Sequence, residues 1–203
     1  MNTEEPFVSG VLLAAGASKR LTGDRPKQLL LIDGEPLVRR VAKNVLESRL
    51  RELIVVVGFM ADSVRSVLSD LEVNIVNNVE YAKGQSSSVK LGLRSVNSST
   101  CAALFIPADQ PFLNSTLLDE LISTYEGSGG PIVMPTYKGR RGAPLLFDRS
   151  LFPELASITG DEGGRQILKR HQSEIVTVTL DSERPLLDID TPQIYRKLVG
   201  ERQ

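Results

Sequence analysis

At 203 residues, 41% hydrophobic and 24% charged, the chain has the size and balance of a globular protein able to build a core without covalent staples. A formal net charge of −1 argues against nucleic acid or an anionic membrane as a partner, and no apolar run reaches the length of a membrane span. The lone cysteine, Cys101, excludes an intrachain disulfide framework and a cysteine-rich metal site and reads as a small buried hydrophobe. The acidic start MNTEEPF lacks the basic-then-apolar pattern of a signal peptide, so a cytoplasmic location is expected.

In chain order, the short apolar run Val11-Leu-Leu13 opens into Ala14, Ala15, Gly16 and Ala17, small residues that let a ligand approach the backbone N–H groups. Ser18, Lys19, Arg20 and, after Thr-Gly-Asp-Arg-Pro, Lys27 add donors and positive charge. A strand running into a glycine-containing basic loop is a common phosphate cradle, though an ordinary βα loop with solvated lysines has the same composition. Asp33-Gly34 reads as a turn, and Pro36 to Arg49 as a helix with Leu37, Val38, Val41, Val45 and Leu46 on one face. Leu53 to Gly58 is a β-branched run suited to a strand buried on both faces, and Ala61 to Leu71 returns to the helical period. Val73 to Val76 reads as a strand ending at Asn77-Asn78, and Gly84-Gln-Ser-Ser-Ser leads into a helix that one of the serines is expected to cap.

Ala102 to Pro107 is a further buried strand, delivering Ala108-Asp109-Gln110-Pro111 at its carboxyl end, with an amphipathic segment from Ser115 to Tyr125. Ile132-Val-Met is read as a strand, Tyr137 to Pro144 as a basic loop, and Leu145-Leu-Phe as another extended piece. Leu151 to Ala156 and Arg165 to His171 read as helices around the break Gly160-Asp-Glu-Gly-Gly, and Ile175 to Leu180 alternates as a strand. Asp188-Ile-Asp190 precedes Thr191-Pro192, a cap and first-turn pair for a helix to Leu198. Strands alternating with helices predict a single α/β domain, a three-layer αβα sandwich on a mostly parallel, Rossmann-like sheet. Ligands of such sheets lie beyond the strands' carboxyl ends, where the first loop, Asn77 to Ser88 and Asp109 can meet.

Asp109, following five apolar strand residues, is placed to bind a hard cation, or else to cap the helix after Pro111. Asp188 and Asp190 share a face if extended, and Asp190 either joins Asp109 at a metal or assists the last helix cap. Arg140-Arg141-Gly142 is a solvated surface or a grip on an anionic second substrate. His171, on a polar helix end beside Arg170, receives no catalytic role.

Taken together these motifs resemble the molybdenum cofactor cytidylyltransferase family of the nucleotidyltransferase superfamily. The matching stretches are Leu13-Ala-Ala-Gly-Ala-Ser-Lys-Arg20, Pro26-Lys-Gln-Leu-Leu30, Gly84 to Ser88, Ala108 to Phe112, Gly142-Ala-Pro144, Gly160 to Arg165 and Asp188-Ile-Asp-Thr-Pro192. The first loop marks only the superfamily; its combination with ADQP and DIDTP is the specific part. The resemblance implies transfer of CMP from CTP to the phosphate of a molybdopterin cofactor, with pyrophosphate released. Leu13 to Ser18 and Arg20 would hold the triphosphate, and Arg20, Lys27 and Asp109 would carry catalysis. Asn78, Gly84, Gln85, Ser88, Pro107 and Ala108 would complete the nucleotide site. Gln110, Arg141, Gly142, Ala143 and Pro144 would hold the acceptor, and Asp109 and Asp190 would hold Mg2+, or Mn2+ in its place. The Ala14-Ala15-Gly16 start looks like the cytidine-using branch, with GTP the other nucleotide of the family and a molybdenum hydroxylase the implied recipient. The chain departs from the pattern at Leu21-Thr22-Gly23, where the family often has methionine-glycine directly after the loop arginine. It departs again at Ala143, where many members have histidine. The other readings are a methylerythritol phosphate cytidylyltransferase, which carries an acidic-alanine-arginine-proline motif in place of ADQP, a sugar-nucleotide synthase, for which the chain is short, and a non-catalytic pterin-cofactor carrier.

Overall fold

The computed structural model describes residues 7–17, 26–161 and 163–200. Its frame is an eight-stranded sheet built around β1 (Val8–Ala14), which pairs in parallel with β4 (Glu52–Val57) on one side and β6 (Ala102–Pro107) on the other. All three are apolar runs enclosed on both faces, as their composition predicts. The short hairpin of β2 (Leu31–Ile32) and β3 (Glu35–Pro36) stands apart from this sheet. Asp33 and Gly34 turn it with φ of 53° and 79°, the left-handed pair that a tight two-residue hairpin requires.

Beyond β4 the edge is β5 (Asn74–Asn77), again parallel. On the other side β9 (Leu145–Asp148) runs antiparallel to both β6 and β7 (Ile132–Tyr137). The two-residue β8 (Arg140–Arg141) folds back on β7, and β10 (Ile175–Thr179) closes the far edge parallel to β7. The sheet order is therefore β10-β7-β9-β6-β1-β4-β5, mixed but mostly parallel.

Alternation along the strands sends Leu12, Val55, Leu104 and Ile106 to one face and Val11, Ile54, Val56, Phe105 and Phe147 to the other. On the first face they meet α1 (Leu37–Leu46), α2 (Ala61–Ser66) and α4 (Ser115–Ser128), with Tyr195 and Leu198 of α7 (Pro192–Gly200) packed at the margin. On the second they meet α3 (Gln85–Ser95), α5 (Phe152–Ser157) and α6 (Arg165–Arg170). This is the expected three-layer arrangement. Several elements are shorter than their periodicity suggests: the helix from Ala61 ends at Ser66, and Val67 to Leu71 continue as turns that still bury Leu68. Cys101 is only partly buried, its thiol donating to the Phe7 carbonyl at 3.4 Å, because it precedes β6 rather than lying in it. Among the described residues no helix is long and apolar enough to cross a membrane.

Candidate functional site

Two cavities open at the carboxyl edge of the central strands, about 790 and 350 Å3 in volume. Leu13 from β1, Pro107 and Asp109 from the end of β6, and Gln85 from the start of α3 line both. The two spaces therefore share one wall.

Lys27 stands at that wall. It follows Pro26 in a single 3-10 turn, Lys27–Leu29, whose residue Gln28 donates from Nε2 to the Gly16 carbonyl at 3.0 Å and ties the turn to the first loop. The Lys27 ammonium, its side chain 12% exposed, donates to Asp109 Oδ2 at 2.6 Å and to Asp190 Oδ1 at 3.0 Å. Burial works against its charge, but the Asp109 and Asp190 carboxylates outweigh that and hold its pKa above the ordinary 10.5. Asp109 is thus not a helix cap. That task falls to Asn114, whose side chain accepts from Leu117 N at 2.9 Å at the start of α4. Asp190 likewise leaves the last cap to Thr191, whose Oγ1 accepts from Ile194 N.

The two acidic residues of the Asp-Ile-Asp stretch are aimed by the residue between them. Ile189 is fully buried in the core, and its N–H donates to the Asp109 carbonyl at 3.0 Å, so Asp188 and Asp190 flank the same strand end. Asp188 Oδ1 accepts from Gln110 Nε2 at 3.0 Å. Its carboxyl is pushed up to about 6 by the protein packed around it and then by the like charge of Asp109; the residue keeps an exposed face, so the like charge is the firmer cause.

The smaller cavity is lined by Ala15, Gly16 and Ala17 of the first loop, by Lys27, Gly84, Ser88 and Ala108, and by Gln28, Tyr81 and Asp161, which sequence reasoning missed. Ala14 lies in the core with no exposure, and Ser18 and Arg20 fall outside the described residues. Asn78 lines neither cavity: it is buried, its Nδ2 donating to Ser87 Oγ and Ser88 Oγ at 2.8 and 2.9 Å while its Oδ1 accepts from Glu80 N. It positions the serines rather than facing open space. The expected serine cap of α3 is corrected. Gly84 precedes the helix at φ 103°, and the free N–H groups of Gln85 and Ser86 donate to Asp161 Oδ1 and the Gly160 carbonyl. A distant acceptor does what a local hydroxyl would have done.

The larger cavity takes Gln110, Arg141, Gly142, Ala143, Asp188 and Asp190 on its polar walls, with Phe105, Met134, Leu145 and Phe147 as an apolar floor. Pro144 is buried behind it. Gly142 admits Leu186, whose Cδ1 would lie 2.8 Å from an added Cβ. Arg140 is paired with Glu183, whereas Arg141 and Arg165 have no acidic partner among the described residues, leaving two free guanidinium groups on the walls. Arg165 was not foreseen as a site residue, although the Gly160 to Arg165 stretch carried part of the resemblance.

The MobA-like NTP transferase domain family matches residues 10–175. The chain belongs to that family. Two relatives are similar over almost their whole length: a protein named nicotine blue oxidoreductase from Paenarthrobacter nicotinovorans, 32% identical over 97% of this chain and 99% of that one, and the purine catabolism protein PucB of Bacillus subtilis (strain 168), 31% identical over 94% and 95%. Among solved structures, Rv0371c from Mycobacterium tuberculosis H37Rv superposes with a TM-score of 0.84 at 27% identity over 98% of this chain and 100% of that one. Rv0371c in complex with manganese does so at 0.81, with 27% identity over 95% and 98%. At the shared wall of the two cavities Asp109 stands between Lys27, which lines the smaller, and Asp190, which lines the larger.

Proposed function

We propose that this MobA-like domain moves CMP from CTP onto the phosphate of a molybdopterin-type cofactor, in the cytoplasm, for delivery to a molybdenum hydroxylase. The observation that carries the reading is the junction of two cavities at Asp109 and Lys27. The smaller suits a nucleoside triphosphate along the Ala15-Gly16-Ala17 loop; the larger, with its apolar floor and free guanidinium groups, suits a heterocyclic anion.

In the reaction an oxygen of the acceptor phosphate attacks the α-phosphorus of CTP. The bond from that phosphorus to the bridging oxygen breaks, and pyrophosphate leaves with the electron pair. The chain's part is positioning and charge compensation, not proton transfer. Backbone N–H groups of the first loop hold the β- and γ-phosphates, and the charge of Arg20 is assigned to the same task from the sequence motif. Lys27 shifts from the carboxylates toward the charge that grows on the leaving pyrophosphate. Asp109 and Asp190 fit a hard divalent ion, because two carboxylate oxygens already converge within 3.0 Å of a single cationic nitrogen. Mg2+, or Mn2+ as in the solved manganese complex of Rv0371c, would supply neutralisation of the phosphate oxygens there.

Pyrophosphate release from CTP, GTP and ATP, each with Mg2+ and molybdopterin or its molybdenum form, tests the proposal. Release with CTP, lost in Asp109→Asn, supports it; release with GTP moves the protein to the guanylyl branch; turnover only with methylerythritol phosphate gives it a different acceptor. Delivery of cofactor by Asp109→Asn without turnover would make the protein a carrier. The name of the 32% identical relative favours a second reading, an oxidoreductase. Reduction of nicotine blue by the purified protein in the absence of any NTP would support that reading instead.

A further inference from the structure

We propose that Asp161 is a nucleoside-reading residue: its free carboxylate oxygen accepts a hydrogen bond from a donor on the sugar or base of the bound NTP. The inference rests on the smaller cavity being the nucleotide site.

Asp161 belongs to the break between α5 and α6, far in sequence from the first loop, yet it lines the smaller cavity with Gly16, Lys27 and Ser88. Its approach is built in on both sides. A Cβ on Gly84 would fall 2.5 Å from Asp161 Oδ1, and one on Gly163 would fall 2.7 Å from Gln85 Oε1. Only glycine at these positions, both at positive φ, lets the segment lie directly on the start of α3. The contact uses one carboxylate oxygen: Oδ1 accepts from Gln85 N at 3.2 Å, while Oδ2 has no partner among the described residues.

The cavity has only one other carboxylate among the described residues, Asp109, and that one is held by Lys27. A free carboxylate repels the phosphates, which carry no donors at neutral pH, so it faces the nucleoside end of the ligand and the phosphates lie toward Lys27 and Gly16. The donors available there are the ribose hydroxyls and the exocyclic amine of the base. Either gives a charge-assisted hydrogen bond, the kind that discriminates strongly against an analogue lacking the donor.

Asp161→Asn separates this role from the structural one. Asparagine keeps the Oδ1 that receives Gln85 N and replaces the free oxygen by a donor. Affinity for CTP, 2′-deoxy-CTP, 3′-deoxy-CTP and zebularine triphosphate, which lacks the base amine, is measured by titration calorimetry with Mg2+ and no acceptor. We expect Asp161→Asn to weaken CTP binding about 10-fold or more and to bind CTP and one of the three analogues alike, where the wild type prefers CTP. The analogue that loses its disadvantage identifies the donor. Unchanged CTP affinity overturns the proposal, and so does an equal loss for all four ligands, which would mean that Asp161 acts only through α3. Should GTP be the nucleotide bound, the same series is run with its deoxy forms and inosine triphosphate. A wild type that binds no nucleoside triphosphate would instead remove the reading of the cavity itself.

Discussion

At the scale of single residues, Lys27 holds two carboxylates in the structure and has a second job in the proposed reaction, and a substitution can pull the two apart. Lys27→Met leaves Asp109 and Asp190 facing each other without a counter-charge. With metal chelated, the variant should lose about 1–2 kcal/mol in urea unfolding, below the usual figure for a buried pair because Asp190 is open to water. Because the Lys27 pKa is raised above 10.5, its contribution is complete below 10.5 and fades only as pH climbs through the higher folded value. The loss should therefore be the same at pH 6 and pH 9. Added Mg2+ should narrow the gap, since the divalent ion meets no competing ammonium in the variant; equal shifts in both proteins would mean that the two carboxylates do not share the ion. Pyrophosphate release should fall about 10²–10³-fold, the order found when one preorganised charge-stabilising donor is removed. Ile189→Ala tests the aim of the acidic pair. It should cost about 2–5 kcal/mol by leaving a hole in the core, and at a temperature where the variant is still folded its turnover should remain low, as Asp188 and Asp190 lose their anchor.

At the scale of elements, the close approach of α3 to the sheet rests on Gly92, where a Cβ would fall 2.3 Å from Val11 Cγ1. Valine cannot rotate away, being stiff about χ1. Gly92→Ala should destabilise by about 1–3 kcal/mol, and in a Val11→Ala background its cost should shrink; additive costs would show that the helix shifts instead. The junction of α5 and α6 offers a pH test. His171 stands between Glu174 and Glu154, with ring nitrogens 2.7 and 2.9 Å from their carboxylates, and these bonds raise its pKa above 6.5. Its contribution is full below pH 6.5 and is lost as pH rises through the folded value. His171→Gln should lower stability in acid and matter little near pH 9; a pH-independent effect would mean that packing, not charge, is lost. The elements themselves were legible wherever burial imposes a period, as in β1, β4, β6 and α1. The cap of α3 was not. Its acceptors come from residues 160–161, and nothing local in Gly84 to Ser88 announces a partner so distant in the chain.

At the scale of the whole molecule, eight of the ten strands, all but the β2–β3 hairpin, form one hydrogen-bonded sheet with apolar layers on both faces. The chain should unfold in urea in a single step, with tyrosine fluorescence, in a protein without tryptophan, and far-ultraviolet dichroism tracing the same curve. Non-coincident curves would mean that the strands beyond β6 fold on their own. The carboxyl-edge placement of Gly16, Ser88 and Asp109 could be read from sequence because parallel strands always present their ends there. Asp161 and Arg165 could not, since no periodicity says where a glycine-rich break lands. The antiparallel course of β9 has a consequence of its own. On the side of the smaller cavity the loops after β5 and β6 lead into α3 and α4, which pack on the sheet, so a change in their length must move a packed element. On the side of the larger cavity the chain simply reverses, β7 to β8 to β9, with Arg140 and Arg141 exposed in β8 and Gly142 and Ala143 half-buried after it. Such turns accept insertions and substitutions at little structural cost. The walls of the larger cavity can thus change over evolutionary time while those of the smaller stay in place.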